Sequence, residues 1–319
     1  MIDLHLHLDG SLSPALALDL LKEQGEDRLG TEQELAALLT APETCQSLND
    51  YLRCFDLPVR LLQSKEALYR AAFSLAESLA REGHFYAEIR FAPQLHTKKG
   101  LSQFDAAQAV CTALSRAADA FPGFFAQAIL CCMRGGEEDD NFETVRVAQR
   151  LYGQGVCALD LAGAEAVYET SRYQNVFSYA RSLDLPFTIH AGEASGPQSV
   201  LCALSMGASR IGHGVRSRED EALLRRLAEE RIPLELCYTS NLQTHAVQNP
   251  EEFPLRDFLR RGVRVTLNTD NRTVSGVTLQ GEYEKLHITE GERRQLFLNS
   301  VEAAFLSPQQ KELLRKKLQ

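Results

Sequence analysis

Eight short apolar runs recur along this chain, and most are followed by a longer stretch with helical periodicity. The runs cover residues 2–7, 85–91, 124–133, 155–161, 186–190, 210–213, 233–237 and 263–268. Amphipathic stretches at 65–81, 103–120, 142–152, 218–230 and 254–260 separate them. Strands that alternate with helices of about 10–15 residues build βαβ units on a parallel sheet. Eight such units predict an α/β fold that closes into a (β/α)8 TIM barrel. Two segments exceed the minimal plan: residues 13–63 after the first strand read as several short helices, and 291–306 and 308–317 read as C-terminal helices. No Pro/Gly/Ser-rich linker bounds either, so residues 1–319 are expected to form a single barrel domain.

Composition narrows the function. Apolar residues make up 44% and charged residues 24%, values of an ordinary globular chain. The net charge of -9 and the shortness of the basic clusters argue against a nucleic-acid partner. None of the eight cysteines forms a CxxC pair, and a chain this long does not need disulfide staples, so free and mostly buried thiols are expected. No apolar run approaches the ~18 residues of a membrane span. Met1 is followed at once by Asp3 and His5 rather than by a secretory signal, which makes cytoplasm the expected compartment. Nothing points to a protein partner.

The polar residues at the strand ends carry the chemistry. The first run ends His5-Leu6-His7-Leu8-Asp9-Gly10. Residues two apart on a strand face the same way, so His5 and His7 project together, as two imidazoles on one metal would. Alone, the pattern also fits two unrelated histidines. His190 ends the fifth run with Glu193 just after it, His213 ends the sixth between two glycines, and Asp270-Asn271 follow the eighth. Taken singly, His213 could be a core histidine and Asp270 a helix cap. Together, four histidines and two acids fall at the C-terminal rim, where barrel enzymes place their reactive groups. That conjunction predicts a metal-dependent hydrolase. His84, His96, His245 and His287 lie at strand starts, in loops or on helices and are expected to be surface or structural.

These motifs, in order, resemble the adenosine deaminase branch of the amidohydrolase superfamily. The resemblance spans HLHLDGSL at 5–12, LNDYLRCFDLPV at 48–59, AEIRFAPQ at 87–94, DLAGAE at 160–165, HAGE at 190–193, GHGV at 212–215, TSN at 239–241 and NTDN at 268–271. It implies hydrolytic deamination of adenosine and 2′-deoxyadenosine in purine salvage, with one metal held by His5, His7, His190 and Asp270. It implies that Glu193 gives a proton to purine N1, and that His213 acts on the attacking water and stabilises the charge that develops there. It further implies that the Gly163 amide meets purine N3, that Asp9 takes a ribose hydroxyl, and that a helix bearing Leu48, Tyr51 and Leu52 covers the pocket, with Arg53 and Asp56 on its outer face. Glu193 must then keep its proton near neutral pH while Asp270 stays ionised, two carboxyls set apart by their surroundings.

Dinuclear relatives bridge their metals through a lysine after the fourth strand. No lysine occurs here between Lys99 and Lys285, so one metal is expected. Three imidazoles and a carboxylate suit Zn²⁺, with iron and cobalt left open by ligand type. The PCxxC signature of the unrelated nucleobase-editing deaminases is absent. The chain departs from the family at Asn271, where a second aspartate is common; an amide can donate to purine N7 without first taking up a proton. Ala164 and Tyr238 also stand where acidic and proline residues are common. The alternatives are a deaminase of adenine or another 6-aminopurine nucleoside, and a non-catalytic barrel that only binds. Asp9 in place of a frequent glutamate leans towards a nucleoside with a free 5′-hydroxyl, and intact ligand positions argue against the binding protein.

Overall fold

Strands buried on both faces lose the alternation of a half-exposed sheet and read as continuous apolar runs. That is the local rule here: every residue of Tyr86–Phe91 and Val156–Ala162 is buried. The computed structural model describes residues 1–25 and 31–318; residues 26–30, inside the expected 13–63 insertion, and Gln319 lie outside the described residues. Among the described residues there are eight strands: β1 Ile2–His7, β2 Tyr86–Phe91, β3 Phe125–Met133, β4 Val156–Ala162, β5 Thr188–Ala191, β6 Arg210–His213, β7 Leu234–Leu236 and β8 Val265–Leu267. β1 to β4 pair in order and in parallel, as do β5 to β8. Single bridges, Leu159 with Phe187 and Leu6 with Asp270, join the two halves into the expected (β/α)8 barrel.

The seam between β8 and β1 is stitched largely by side chains. The Leu4 amide donates to Asn268 Oδ1 (3.0 Å) and the Thr269 hydroxyl to Asp3 Oδ2 (2.6 Å), while the other oxygen of Asp3 takes the His5 amide of its own strand (3.2 Å). Two backbone bonds finish it, His7 N to Asp270 O (2.7 Å) and Asp270 N to His5 O (2.8 Å). The first and last strands are thereby fixed edge to edge at the rim.

The helices follow their caps. In Lys65–Arg81, Ser64 caps the Ala67 amide, and Ala67, Leu68, Ala71, Ala72, Leu75, Ala76 and Leu79 form one buried stripe. Three helical boundaries differ from the sequence reading. The helix expected at 142–152 runs Glu138–Leu151, because three acids in its first turn suit the positive end of the helix dipole. The stretch 218–230 divides at Asp220, whose carboxylate caps Glu221–Glu229 after a 3-10 turn at Val215–Glu219. The lid helix spans only Leu48–Leu52, and then a 3-10 turn, Arg53–Phe55, reorients the chain into Asp56–Leu61.

All eight cysteines are free, and all but Cys202 are buried. No helix among the described residues is long and apolar enough to cross a membrane. Two of the non-rim histidines prove to be core groups. His84 Nδ1 donates to Leu79 O (3.0 Å) and His96 Nδ1 to Leu62 O (2.8 Å), while both Nε2 atoms are buried without a partner among the described residues. Burial pulls His84 from 6.5 to about 3 and His96 to about 4.

Their folded pKa values lie below the unfolded one, so the stability they leave intact above pH 6.5 is lost as pH falls towards those values. The loss is about 1.4 kcal/mol per pH unit per ring. His96→Gln is expected to flatten the decline of Tm between pH 6.5 and 4, as followed by calorimetry. An unchanged slope would show that His96 is not a neutral core group.

Candidate active site

β1 delivers two side chains to one place because its side chains alternate faces. Leu6 turns outward into the main hydrophobic core, whereas His5 and His7 turn into the barrel mouth with ring centroids 5.5 Å apart. His190 leaves β5 and His213 ends β6. His213 and Asp270 both carry positive φ, 58° and 59°. Non-glycine residues rarely adopt that conformation, and it clusters where function fixes a side chain's direction.

The donor atoms converge. His7 Nε2 lies 3.3 Å from His190 Nε2 and 3.4 Å from Asp270 Oδ1, and His5 Nε2 also lies 3.4 Å from Asp270 Oδ1. Four donors about 2.0–2.2 Å from one ion at tetrahedral angles stand roughly 3.3–3.6 Å from each other, so these separations match the edges of such a shell. His5 Nε2 is buried with no hydrogen-bond partner among the described residues, as expected of an atom built to meet a cation. His5, His190, His213 and Asp270 also bring one ligand atom each within 4.8 Å of one another. The His/Asp cluster can hold a metal ion, and spacing alone does not separate His7 from His213 as a ligand.

Beneath the cluster lies a charged network with no role in the sequence reading. Glu235 Oε2 accepts from His5 Nδ1 (2.7 Å), and Asp160 Oδ2 takes His190 Nδ1 (2.9 Å). Arg90 donates to both carboxylates at 2.9 Å, and all three residues are fully buried. Arg210 adds a hydrogen bond to Glu235 and an ion pair with Glu88, each at 2.6 Å. Against the cost of burial, Arg90 and Arg210 hold the Glu235 carboxyl well below its usual range, and His190 and Arg90 do the same for Asp160. Ser240 Oγ donates to Asp270 Oδ2 (2.5 Å). The sequence signal was a lone charge inside an apolar strand, as in Arg90, Asp160 and Glu235; such a charge has to find a partner across the barrel.

Glu193 sits beside the cluster, 4% exposed, with Oε2 3.5 Å from His213 Nε2 and Oε1 accepting from Thr244 (3.1 Å). Burial, reinforced by the charges of Asp270 and Glu165, pushes its carboxyl well above the ordinary value. Asp270 goes the other way: against the cost of burial, the neighbouring imidazoles of His5, His213 and His7 hold it well below. Glu165 fixes the loop that carries Glu193. Its carboxylate accepts from the amides of Gly192, Glu193, Ala194 and Ser195 and from Ser199 Oγ.

A cavity of about 770 Å³ opens over the cluster and touches every residue of the expected substrate set, namely His7, Asp9, Leu48, Tyr51, Leu52, Gly163 and Asn271, besides Glu193, His190, His213 and Asp270. His5 lies below its floor, fully buried. Burial raises Asp9 to about 6. Tyr51 bonds Ser275 Oγ (2.6 Å), which ties the lid to the segment after β8. Arg53 and Asp56 are both exposed as expected, and Asp56 also reaches the cavity mouth after the 3-10 turn at Arg53–Phe55. His96 and His245 stay out of the cavity: His96 is a core group, and His245 Nε2 binds Cys45 O (3.0 Å).

A family model described as adenosine deaminase matches residues 1–319. The chain belongs to the adenosine deaminase family. It is 48% identical to an adenosine deaminase of Haemophilus ducreyi over 98% of this chain and 94% of that one. It is 39% identical to an adenosine deaminase of Enterococcus faecalis over 99% and 95%. Among solved structures, an adenine deaminase from Arthrobacter aurescens superposes with a TM-score of 0.91 at 26% identity, covering 99% of this chain and 97% of that one. An Arabidopsis N6-mAMP deaminase superposes with a TM-score of 0.88 at 26% identity, covering 99% and 96%. The family's barrel is therefore the fold of this chain, and the charged network is what orients its histidines.

Asp160→Asn is expected to weaken metal affinity about 10–100-fold, the usual effect of losing a carboxylate behind a ligating imidazole. Chelator competition on the folded variant measures this. Unchanged affinity would show that His190 needs no such support.

Proposed function

We propose that the chain is a zinc-dependent enzyme that converts adenosine and 2′-deoxyadenosine into inosine and deoxyinosine, releasing ammonia, in purine salvage. One observation carries the reading: Glu193, a carboxyl that burial pushes well above its usual range, lines the same cavity as Asp270, a carboxyl that the imidazoles around it hold well below. The names of the relatives at 48% and 39% identity support the substrate.

His5, His7, His190 and Asp270 would hold the ion, whose bound state supplies the Lewis acidity that makes water nucleophilic near neutral pH. Glu193 holds a proton for purine N1. As C6 is attacked, that nitrogen takes up the electron pair, which removes the aromatic barrier to addition. His213 stands next to Glu193 on the cavity wall and would act on the attacking oxygen. Asp270, held ionised, balances the charge on that side of the site. Gly163 would turn its amide to purine N3; its φ of 105° is one that glycine adopts freely. Asn271 would donate to N7 and Asp9 would accept from a ribose hydroxyl. Leu48, Tyr51 and Leu52 would close over the nucleoside and exclude water.

A second reading, with adenine as substrate, is favoured by the close superposition on the Arthrobacter adenine deaminase. Asp9 separates the two, because a carboxylate at the ribose end gains a partner only from a nucleoside, and it repels the phosphate of AMP.

The test is kcat/KM for adenosine, 2′-deoxyadenosine, adenine and AMP on zinc-replete protein, with Glu193→Gln alongside. Adenosine or deoxyadenosine is expected to lead, and the variant is expected to keep zinc while losing about 10²–10⁴-fold in turnover. Adenine in the lead would overturn the nucleoside reading. A fully active variant would remove Glu193 from the mechanism.

A further inference from the structure

The three deepest histidines of the cluster differ at the ring nitrogen that faces away from it. His5 Nδ1 meets Glu235 Oε2 at 2.7 Å, and His190 Nδ1 meets Asp160 Oδ2 at 2.9 Å. His213 Nδ1 meets neither carboxylate; its partner is the amide nitrogen of Asn241, at 3.0 Å in a buried contact. An ionised carboxylate only accepts, so the proton of His5 and His190 sits on Nδ1 and the Nε2 lone pair faces the cluster. An amide NH₂ only donates, so Nδ1 of His213 must supply the lone pair and Nε2 keeps the proton.

We propose that Asn241 is a positioning residue that holds His213 in the Nε2–H tautomer, which bars it from ligating the metal and makes it a hydrogen-bond donor towards the reacting oxygen. Geometry alone would admit His213 as a ligand, since its ligand atom lies within 4.8 Å of those of His5, His190 and Asp270. The proton excludes it. Nε2 instead lies beside Glu193 Oε2, at 3.5 Å.

The orientation of the Asn241 amide follows from what surrounds it. Its Oδ1 is buried without a hydrogen-bond partner among the described residues. Turning the amide over would place its two N–H donors where that single acceptor now goes unmatched, and a buried orphan donor is the rarer and costlier state. The backbone fixes the position: Asn241 lies in the short helix Tyr238–Gln243, its own amide bonded to Cys237 O (2.9 Å). The adjacent Ser240 donates to Asp270. Two consecutive residues thus set the hydrogen-bonding state of two neighbours in the cluster.

The inference rests on the metal-hydrolase reading, yet its test does not depend on turnover. In zinc-loaded protein with ¹⁵N-labelled histidine, long-range proton–nitrogen spectra report which nitrogen of each ring is protonated, and loss of a ring's signals in His213→Gln assigns it. His213 is expected to carry its proton on Nε2, and His5 and His190 on Nδ1. A proton on Nδ1 of His213 overturns the proposal, even in an enzyme that deaminates adenosine normally.

Asn241→Asp provides the functional arm. The side chain keeps its shape but becomes an acceptor, so the His213 proton is expected to move to Nδ1, with kcat falling about 10²–10³-fold as a transition-state donor is lost. KM is expected to stay within a few-fold. A role in packing alone predicts no change in tautomer or kcat, and that result would also overturn the proposal. Should the variant not fold, the wild-type spectrum still decides.

Discussion

Arg90 is the residue through which the rest of the site is held. Its guanidinium lies at the centre of the barrel with no exposure, reaching Asp160 on one side and Glu235 on the other at 2.9 Å each. A buried charge is tolerated only when well paired, and removing one partner leaves the others uncompensated. Arg90 therefore fixes the positions of two carboxylates, and those carboxylates fix the rings of His190 and His5. Arg90 and Arg210 pair with three buried carboxylates, those of Glu88, Asp160 and Glu235, and Asp270 adds a fourth above them, against His5 and His7. The formal shortfall of two positive charges is what one divalent cation beside Asp270 neutralises. The network thus makes the rim attractive to a metal before any ligand atom is considered.

Above that layer the surroundings divide chemically similar groups into different roles. Glu193 and Asp270 are both buried carboxyls in one cavity. Asp270 is surrounded by imidazoles and a serine hydroxyl, whereas Glu193 has Thr244 and, close by, the negative charges of Asp270 and Glu165. The charge of Asp270 is part of what raises the Glu193 carboxyl, so the two are set apart by one electrostatic arrangement. The histidines divide in the same way, by whether an acceptor or a donor stands behind each ring.

Much of this was legible in the sequence. The eight strands lie where the apolar runs predict, because a parallel barrel buries both strand faces and writes its strands as unbroken apolar segments. Every rim residue singled out for its place after a run, His5, His7, His190, Glu193, His213 and Asp270, belongs to one cluster or touches it. The network beneath was not legible, although its members stand in plain view as lone charges in apolar strands. Arg90 pairs with a residue 70 positions away and another 145 away, and neither spacing leaves a local trace. Asn241 was visible in TSN, but its meaning depends on which His213 atom it faces. That Asp56 also reaches the cavity mouth was not legible, since the chain tightens into a 3-10 turn at Arg53–Phe55 just before it.

The barrel seam explains why residues from the two ends of the chain share one motif-rich site. Gly10 has no side chain where a Cβ would stand 1.9 Å from Asn271 Oδ1, so the glycine after Asp9 is what lets Asn271 approach. The Thr273 amide bonds Gly10 O (3.0 Å), and the Asp270 amide bonds His5 O (2.8 Å). Closing β8 onto β1 is therefore the event that brings Asp270 to His5 and His7 and Asn271 to the mouth of the pocket. A cation bridging Asp270 to the β1 histidines would join the two edges of that seam, where one backbone bridge and a few side chains otherwise hold them. Metal binding and barrel closure then act on the same contacts, and the binding free energy of the metal becomes folding free energy of the seam.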